Sequence, residues 1–163
     1  MKIDPSAVMK PAIDVAPGTF CFVCLSPSQS AYALRGRQPG TGGDGFAILA
    51  AAPHWLTNQG LGVIRVLEMP GAQLAPVLNA ESLRFYPQKP LGGSIGFTGA
   101  GTFLAVDPGI VGFGPLYVNI ETGEVPLNAP IGDAIWCRQW AVGYHRAGGF
   151  DEIFRFQEVA ANE

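Results

Sequence analysis

The side chains in this chain that could do chemistry are few and scattered. Cys21 and Cys24 have the C-x-x-C spacing of zinc knuckles and redox motifs. A zinc site needs two further ligands, and Cys137, His54 and His145 offer them only singly, with no paired spacing. Redox chemistry would place the first Cys at a helix N-terminus. Instead the pair lies in the apolar run TFCFVCLS (19 to 26), where residues three apart on a strand point to opposite faces. Both read as small buried hydrophobes. No G-x-S-x-G occurs to make a nucleophile elbow. His54, between Pro53 and Trp55, and His145, between Tyr144 and Arg146, read as loop or surface residues. The glycine-rich stretches GTGGDG (40 to 45) and GGSIGFTGAG (92 to 101) have neither the Gly-Lys-Ser/Thr ending of a phosphate loop nor the spacing that opens a crossover helix. They read as hairpin tips or bulges. Asp107, before Pro108-Gly109, reads as a turn former, and Glu121 and Glu124 flank a turn at Thr122-Gly123. The reading is of a protein without catalytic, cofactor-binding or metal-binding residues, and not an enzyme.

The elements that would carry these residues are short. Gly and Pro contribute 22 and 14 residues, spread between apolar runs rather than gathered in one linker, the punctuation of an all-β chain. Ten runs read as strands: 19 to 26, 30 to 35, 45 to 52, 61 to 68, 82 to 86, 102 to 106, 115 to 120, 123 to 127, 134 to 142 and 151 to 157. The expected fold is all-β, a sandwich or barrel of about ten short strands. TFCFVCLS is apolar on both faces, which predicts a central strand between two layers. The segment 115 to 127 reads as a hairpin turning at Thr122-Gly123. Residues 1 to 18, with Pro5, Pro11 and Pro17, read as an extended N-terminal arm ahead of one β-rich domain, 19 to 163.

The bulk composition narrows the function classes. A chain of 163 residues is long enough for one ordinary core. Net charge is -3, and the ten Lys and Arg form no basic run, which argues against nucleic acid as a partner. The longest apolar run, GFAILAAA, ends at Pro53, far short of a membrane span. Asp4 and Pro5 stand where a signal peptide would be apolar, so synthesis and first residence in a cytoplasm are expected. Charged residues make up 14% of the chain, against about 25% in a typical soluble domain. Surface covered by other subunits would account for that, as would a chain rich in Gly and Ala.

Residues for such a contact are Phe113, Trp136, Arg138 and Trp140, with Pro5 and Pro11 in the arm. Trp136, Arg138 and Trp140 would share one face of the strand 134 to 142, with Arg138 able to stack between the tryptophans. The simpler reading makes them core tryptophans beneath an amphipathic Arg.

The stretch GPLYVNIETGEVPLNAPIGDAIWCRQWAVGYHRAGGFDEIFRFQ (114 to 157) resembles the C-terminal region of tailed-phage capsid decoration, or cement, proteins. The matching pieces are Leu116-Tyr117-Val118, Thr122-Gly123, the Pro126 to Pro130 stretch, Ala141-Val142-Gly143-Tyr144 and Ile153-Phe154-Arg155-Phe156. The resemblance implies a β-rich virion protein, assembled in the host cytoplasm, that clips onto the outside of a head shell as a homotrimer. Its partners would be the major capsid protein or neighbouring virion subunits. A second resemblance, of IGFTGAGTFLAVDP and GGFDEIFRF to SMI1/KNR4-like immunity modules, implies a protein that neutralises a partner by binding it. The N-terminal amphipathic helices of those modules have no counterpart in the sequence.

Overall fold

The computed structural model describes residues 6–26, 29–38, 43–57, 64–85, 92–128 and 132–157. Among them the strands are β1 (Val8–Pro11), β2 (Phe20–Ser26), β3 (Gln29–Gln38), β4 (Gly43–Leu49), β5 (His54–Thr57), β6 (Arg65–Glu68), β7 (Gln73–Pro76), β8 (Leu83–Phe85), β9 (Ile95–Thr98), β10 (Gly101–Val106), β11 (Leu116–Asn119), β12 (Ile135–Cys137), β13 (Gln139–Arg146) and β14 (Gly149–Gln157), with one 3-10 turn at Ala12–Asp14. They form three antiparallel sheets in the orders β1-β6-β2-β3-β4-β5, β11-β10-β9-β12-β8 and β14-β13-β7. Among the described strands no barrel closes, and the fold is an all-β sandwich. Strands exceed the expected ten because β1, β5, β7 and β9 are four-residue pieces holding Pro, Gly or His, too short to show a period.

The main core lies between the six-stranded sheet and the other two. It joins Phe20, Phe22, Tyr32, Leu34, Leu49 and Trp55 to Ile95, Leu104, Val106, Val118, Trp140, Val142 and Phe156. Removing each large side chain from water is worth roughly 1.5–3 kcal/mol. The two-faced reading of β2 holds. Phe20 and Phe22 enter this core, while Cys21 and Val23 join a second cluster on the other face with Ala33, Phe46, Ile48 and Val66.

That second cluster includes Ala12 and Val15, so residues 8 to 15 belong to the body of the fold. Val8–Pro11 are a strand and Ala12–Asp14 a 3-10 turn, and both lie on their own sheet. Met9 pairs with Leu67 and Pro11 with Arg65, and the Ala12 N–H donates to Ile64 O (2.8 Å). Because alternate residues of a strand point their amides to the same side, Ala12 and Lys10 face β6 and Pro11 faces outward. The missing N–H of Pro11 therefore costs no ladder bond, as an edge strand allows.

Two expected strands are corrected. Residues 123 to 127 pair with β11 only at the turn, where the Asn119 N–H donates to Glu124 O and the Gly123 N–H to Asn119 O, both at 2.8 Å. Asn119 does close the turn, its Oδ1 accepting from the N–H groups of Glu121 (2.9 Å) and Thr122 (3.0 Å). Beyond it the chain crosses to the other sheet, where the Arg37 N–H donates to Gly123 O and the Val125 N–H to Arg37 O, both at 2.8 Å. The segment stitches two sheets together, and Val125 is buried between them. The run 134 to 142 also breaks, at Arg138, into β12 and β13 of different sheets.

Candidate interaction surface

The break at Arg138 separates the residues expected to share a face. Trp136 lies on the far side of the five-stranded sheet with Ala105, Ala134 and Tyr117, its ring over Gly96, where a Cβ would come within 2.7 Å. Trp140 points into the main core. Its Nε1–H donates to Gly93 O (2.6 Å), and its ring stacks on Phe156 at 5.2 Å. Trp136 is 2% exposed and Trp140 fully enclosed, so both are core residues and not interface anchors. Arg138 is half-buried, its N–H donating to Ser82 O (2.8 Å); the two rings expected on one face with it lie in separate clusters. Pro11 is half-buried in β1, and Pro5 lies outside the described residues.

Phe113 has the opposite fate. It is 71% exposed, beside Val111 at 101% and Ile110 at 57%. These side chains ride on the β10–β11 connection, whose base is fastened to β5: the Trp55 N–H donates to Asp107 O (2.7 Å) and the Asp107 N–H to Pro53 O (3.0 Å). The Asp107 carboxylate accepts from the Gly109 N–H (2.8 Å), the turn-forming role read from the sequence. At the tip the Phe113 N–H donates to Ile110 O (3.2 Å) with Gly112 at φ 88°, as a type II turn requires at its third residue. Val111 is thus held at a turn corner by backbone bonds. Beside it opens a cleft of about 370 Å³ lined by Ala51, Ala52, Gly92, Asp107, Pro108, Phe113 and Pro115.

Further exposed apolar side chains, Val8 and Met9 on opposite faces of β1 and Ile13 just after it, lie at the start of the described chain. The order β1-β6-β2-β3-β4-β5 puts them at one edge of the six-stranded sheet, with the β10–β11 loop attached at the other. Five strand spacings separate them, about 24 Å. Of these exposed apolar residues, sequence reasoning named Phe113 and not Ile110, Val111 or Met9. The available signal was PGIVGFGP itself, apolar side chains between turn residues where a solvated loop would be polar.

The groups considered for chemistry stay apart. Among the described residues no three His, Cys, Asp or Glu side chains come together as a metal site. Cys21 is buried, Cys24 exposed and Cys137 buried, all three as free thiols. Burial pushes the Cys21 thiol up to about 12, which leaves it without thiolate character at neutral pH. His54 and His145 are exposed; the Nδ1 of His54 lies 3.2 Å from Ala52 O, and the ring of His145 meets the edge of Phe150 at 5.1 Å. No helix among the described residues is long and apolar enough to cross a membrane. Compared with known proteins, the chain significantly matches no family model, no curated protein and no solved structure.

Proposed function

We propose that this chain is a structural virion protein that binds the outside of a capsid, or a neighbouring appendage subunit, and braces the assembly. The observation that carries the reading is the two sets of exposed apolar side chains, Val8/Met9/Ile13 and Ile110/Val111/Phe113, on backbone-anchored segments at opposite edges of one sheet. A brace needs contact with two neighbours at once, and two surfaces about 24 Å apart on a stiff sheet supply that. Isolated exposed apolar residues are ordinary, but a cluster such as Ile110, Val111 and Phe113 marks a contact. The low charge content and the likeness of residues 114 to 157 to decoration proteins point the same way. Binding only the assembled shell would stabilise it by mass action. The immunity-module alternative has no comparable support, since the described residues hold no α-helix.

The test is co-sedimentation with heads of the phage that encodes the chain, stripped of their decoration. The wild type should pellet with the heads and raise the temperature at which they release DNA. Met9→Asp, at a side chain 67% exposed, should remain in the supernatant while folding normally. A wild-type protein left wholly in the supernatant would overturn the reading.

A further inference from the structure

Among the described residues the three sheets end in six edge strands, and five of them are short or blocked. β1, β5, β7 and β11 have four residues and β8 three. Pro11 and Pro76 remove a donor from β1 and β7. β5 is tied to Asp107 through the Trp55 N–H, and β11 is closed by the chain that follows it, the Asn119 N–H donating to Glu124 O. The sixth edge, β14, runs for nine residues without Pro or Lys and has β13 as its one neighbour among the described strands. Sheets blunt their long edges because a row of unpaired N–H and C=O groups is a template for another strand. We propose that β14 is a docking edge that takes an extended segment of another protein as an added strand.

The register shows which groups are open. Ala147-Gly148 joins β13 to β14 with Arg146 opposite Gly149, and the Gly149 N–H of such a two-residue hairpin points at β13. Alternation from there, with Ile153 as the extra residue where the register shifts between Val142 and Gly143, turns the amides of Phe150, Glu152, Arg155 and Gln157 to the free side. None of the four donates to another segment among the described residues. Groups of this kind are matched by an extended backbone, the basis of recognition by strand addition.

The side chains beside the edge set the character of the segment. On the core side the Phe154 ring lies 5.6 Å from Trp140 and 6.0 Å from Tyr32, yet Phe154 and Ile153 are only half-buried. Apolar side chains at every second position of an added strand would cover them. On the solvent side Arg155 Nε donates to Glu152 Oε1 (3.0 Å), so the two charges answer each other and uncharged polar residues fit opposite them. The occupant is therefore an amphipathic strand alternating apolar and neutral polar residues. The β14 of a second copy fits less well, because the bulge twists the edge, a device by which sheets avoid pairing with their own kind. The inference goes beyond shell binding, whose surfaces are β1 and the β10–β11 loop.

The experiment titrates the isotope-labelled full chain with a peptide of eight residues alternating threonine and valine, followed by NMR, and repeats it with the same peptide N-methylated throughout. The first peptide should shift the amide signals of Phe150, Glu152, Arg155 and Gln157 and slow their hydrogen exchange at least tenfold; the second should do neither. Arg155→Pro, whose missing N–H takes nothing from the β13 ladder, should weaken binding at least tenfold, with an unchanged circular dichroism melt showing that the fold survives. Should that variant unfold, the two peptides on the wild type still decide. The proposal is overturned by no shift at millimolar peptide, by shifts away from β14, or by equal binding of the N-methylated peptide, which would make side chains the determinant. A free chain that doubles its mass from 17.2 kDa, with Arg155→Pro remaining single, also overturns it by making a second copy the occupant. Because no shell is present, failure here leaves the virion reading standing, and failure of co-sedimentation leaves the docking edge standing.

Discussion

Gly123 and Gly112 share a backbone conformation, with φ of 72° and 88°, in opposite surroundings. A Cβ on Gly123 would fall on the amide nitrogen of Gly18 and within 2.6 Å of Arg35 O, whereas one on Gly112 would meet nothing within 4 Å. The first glycine sits at a junction where three segments meet backbone to backbone: the Gly18 N–H donates to Arg35 O, the Arg35 N–H to Thr19 O and the Arg37 N–H to Gly123 O. The second shapes a loop tip that holds apolar side chains in solvent. Identical turn chemistry thus closes the interior in one place and builds a surface in the other.

The comparison breaks most sharply at the junction. Gly123→Ala should cost more than about 3 kcal/mol, because the positive φ and the overlap with immobile backbone atoms add. Urea denaturation measures it. A loss below about 1 kcal/mol would mean that the two sheets can separate there at little cost. Asp44→Ala should come next. The buried guanidinium of Arg35 donates to Asp44 Oδ2 (2.8 Å), Gly45 O (3.1 Å) and Gly36 O, and lies over the Phe46 ring. Removing one partner of a fully buried pair costs about 3–5 kcal/mol, but the Asp44 side chain is 27% exposed, so about 2 kcal/mol is expected from the same denaturation curve.

A third effect appears with pH. The Cys21 thiol, raised from 9.0 to about 12 by burial in the second cluster, stays protonated in the folded chain while it ionises in the unfolded one. Its contribution is fully present below pH 9 and is lost as pH rises toward 12, at about 1.4 kcal/mol per pH unit. Tyr32 and Tyr117, also raised by desolvation, add losses of the same sign at higher pH. Denaturation midpoints between pH 8 and 11 should therefore fall, and Cys21→Ala should flatten the first part of that fall. An unchanged slope in the variant would show that the thiol is hydrated in the native state.

The sequence revealed the fold class because β2 repeats its apolar residues on both faces and the turns are written in Gly, Pro and Asn119. It failed where period two ran through a boundary. Trp136, Arg138 and Trp140 keep strand spacing, yet the Arg138 N–H turns to Ser82 O and sends the next residues to another sheet, a long-range pairing that spacing does not encode. The alternation after Gly123 misled for the same reason, since Glu124 bonds to Asn119 at the turn but also bridges to Arg37, and the chain beyond it follows the other sheet. Phe113, expected at a contact, is exposed, as an aromatic between glycines with no local packing role. The hollow beside it was not legible, because Ala51 and Ala52 reach the loop through the pairing of His54 with Asp107 and Gly92 through the bond of its neighbour Gly93 to Ala105.

At the loop the expected effects are small, which is what separates a surface from a junction. Gly112→Ala should cost about 1 kcal/mol from φ alone. Val111→Ser should change stability by less than about 0.5 kcal/mol at low protein concentration, since a side chain 101% exposed has no burial to lose. A large loss in dilute solution would mean that Val111 packs against its own chain, removing the contrast with Gly123.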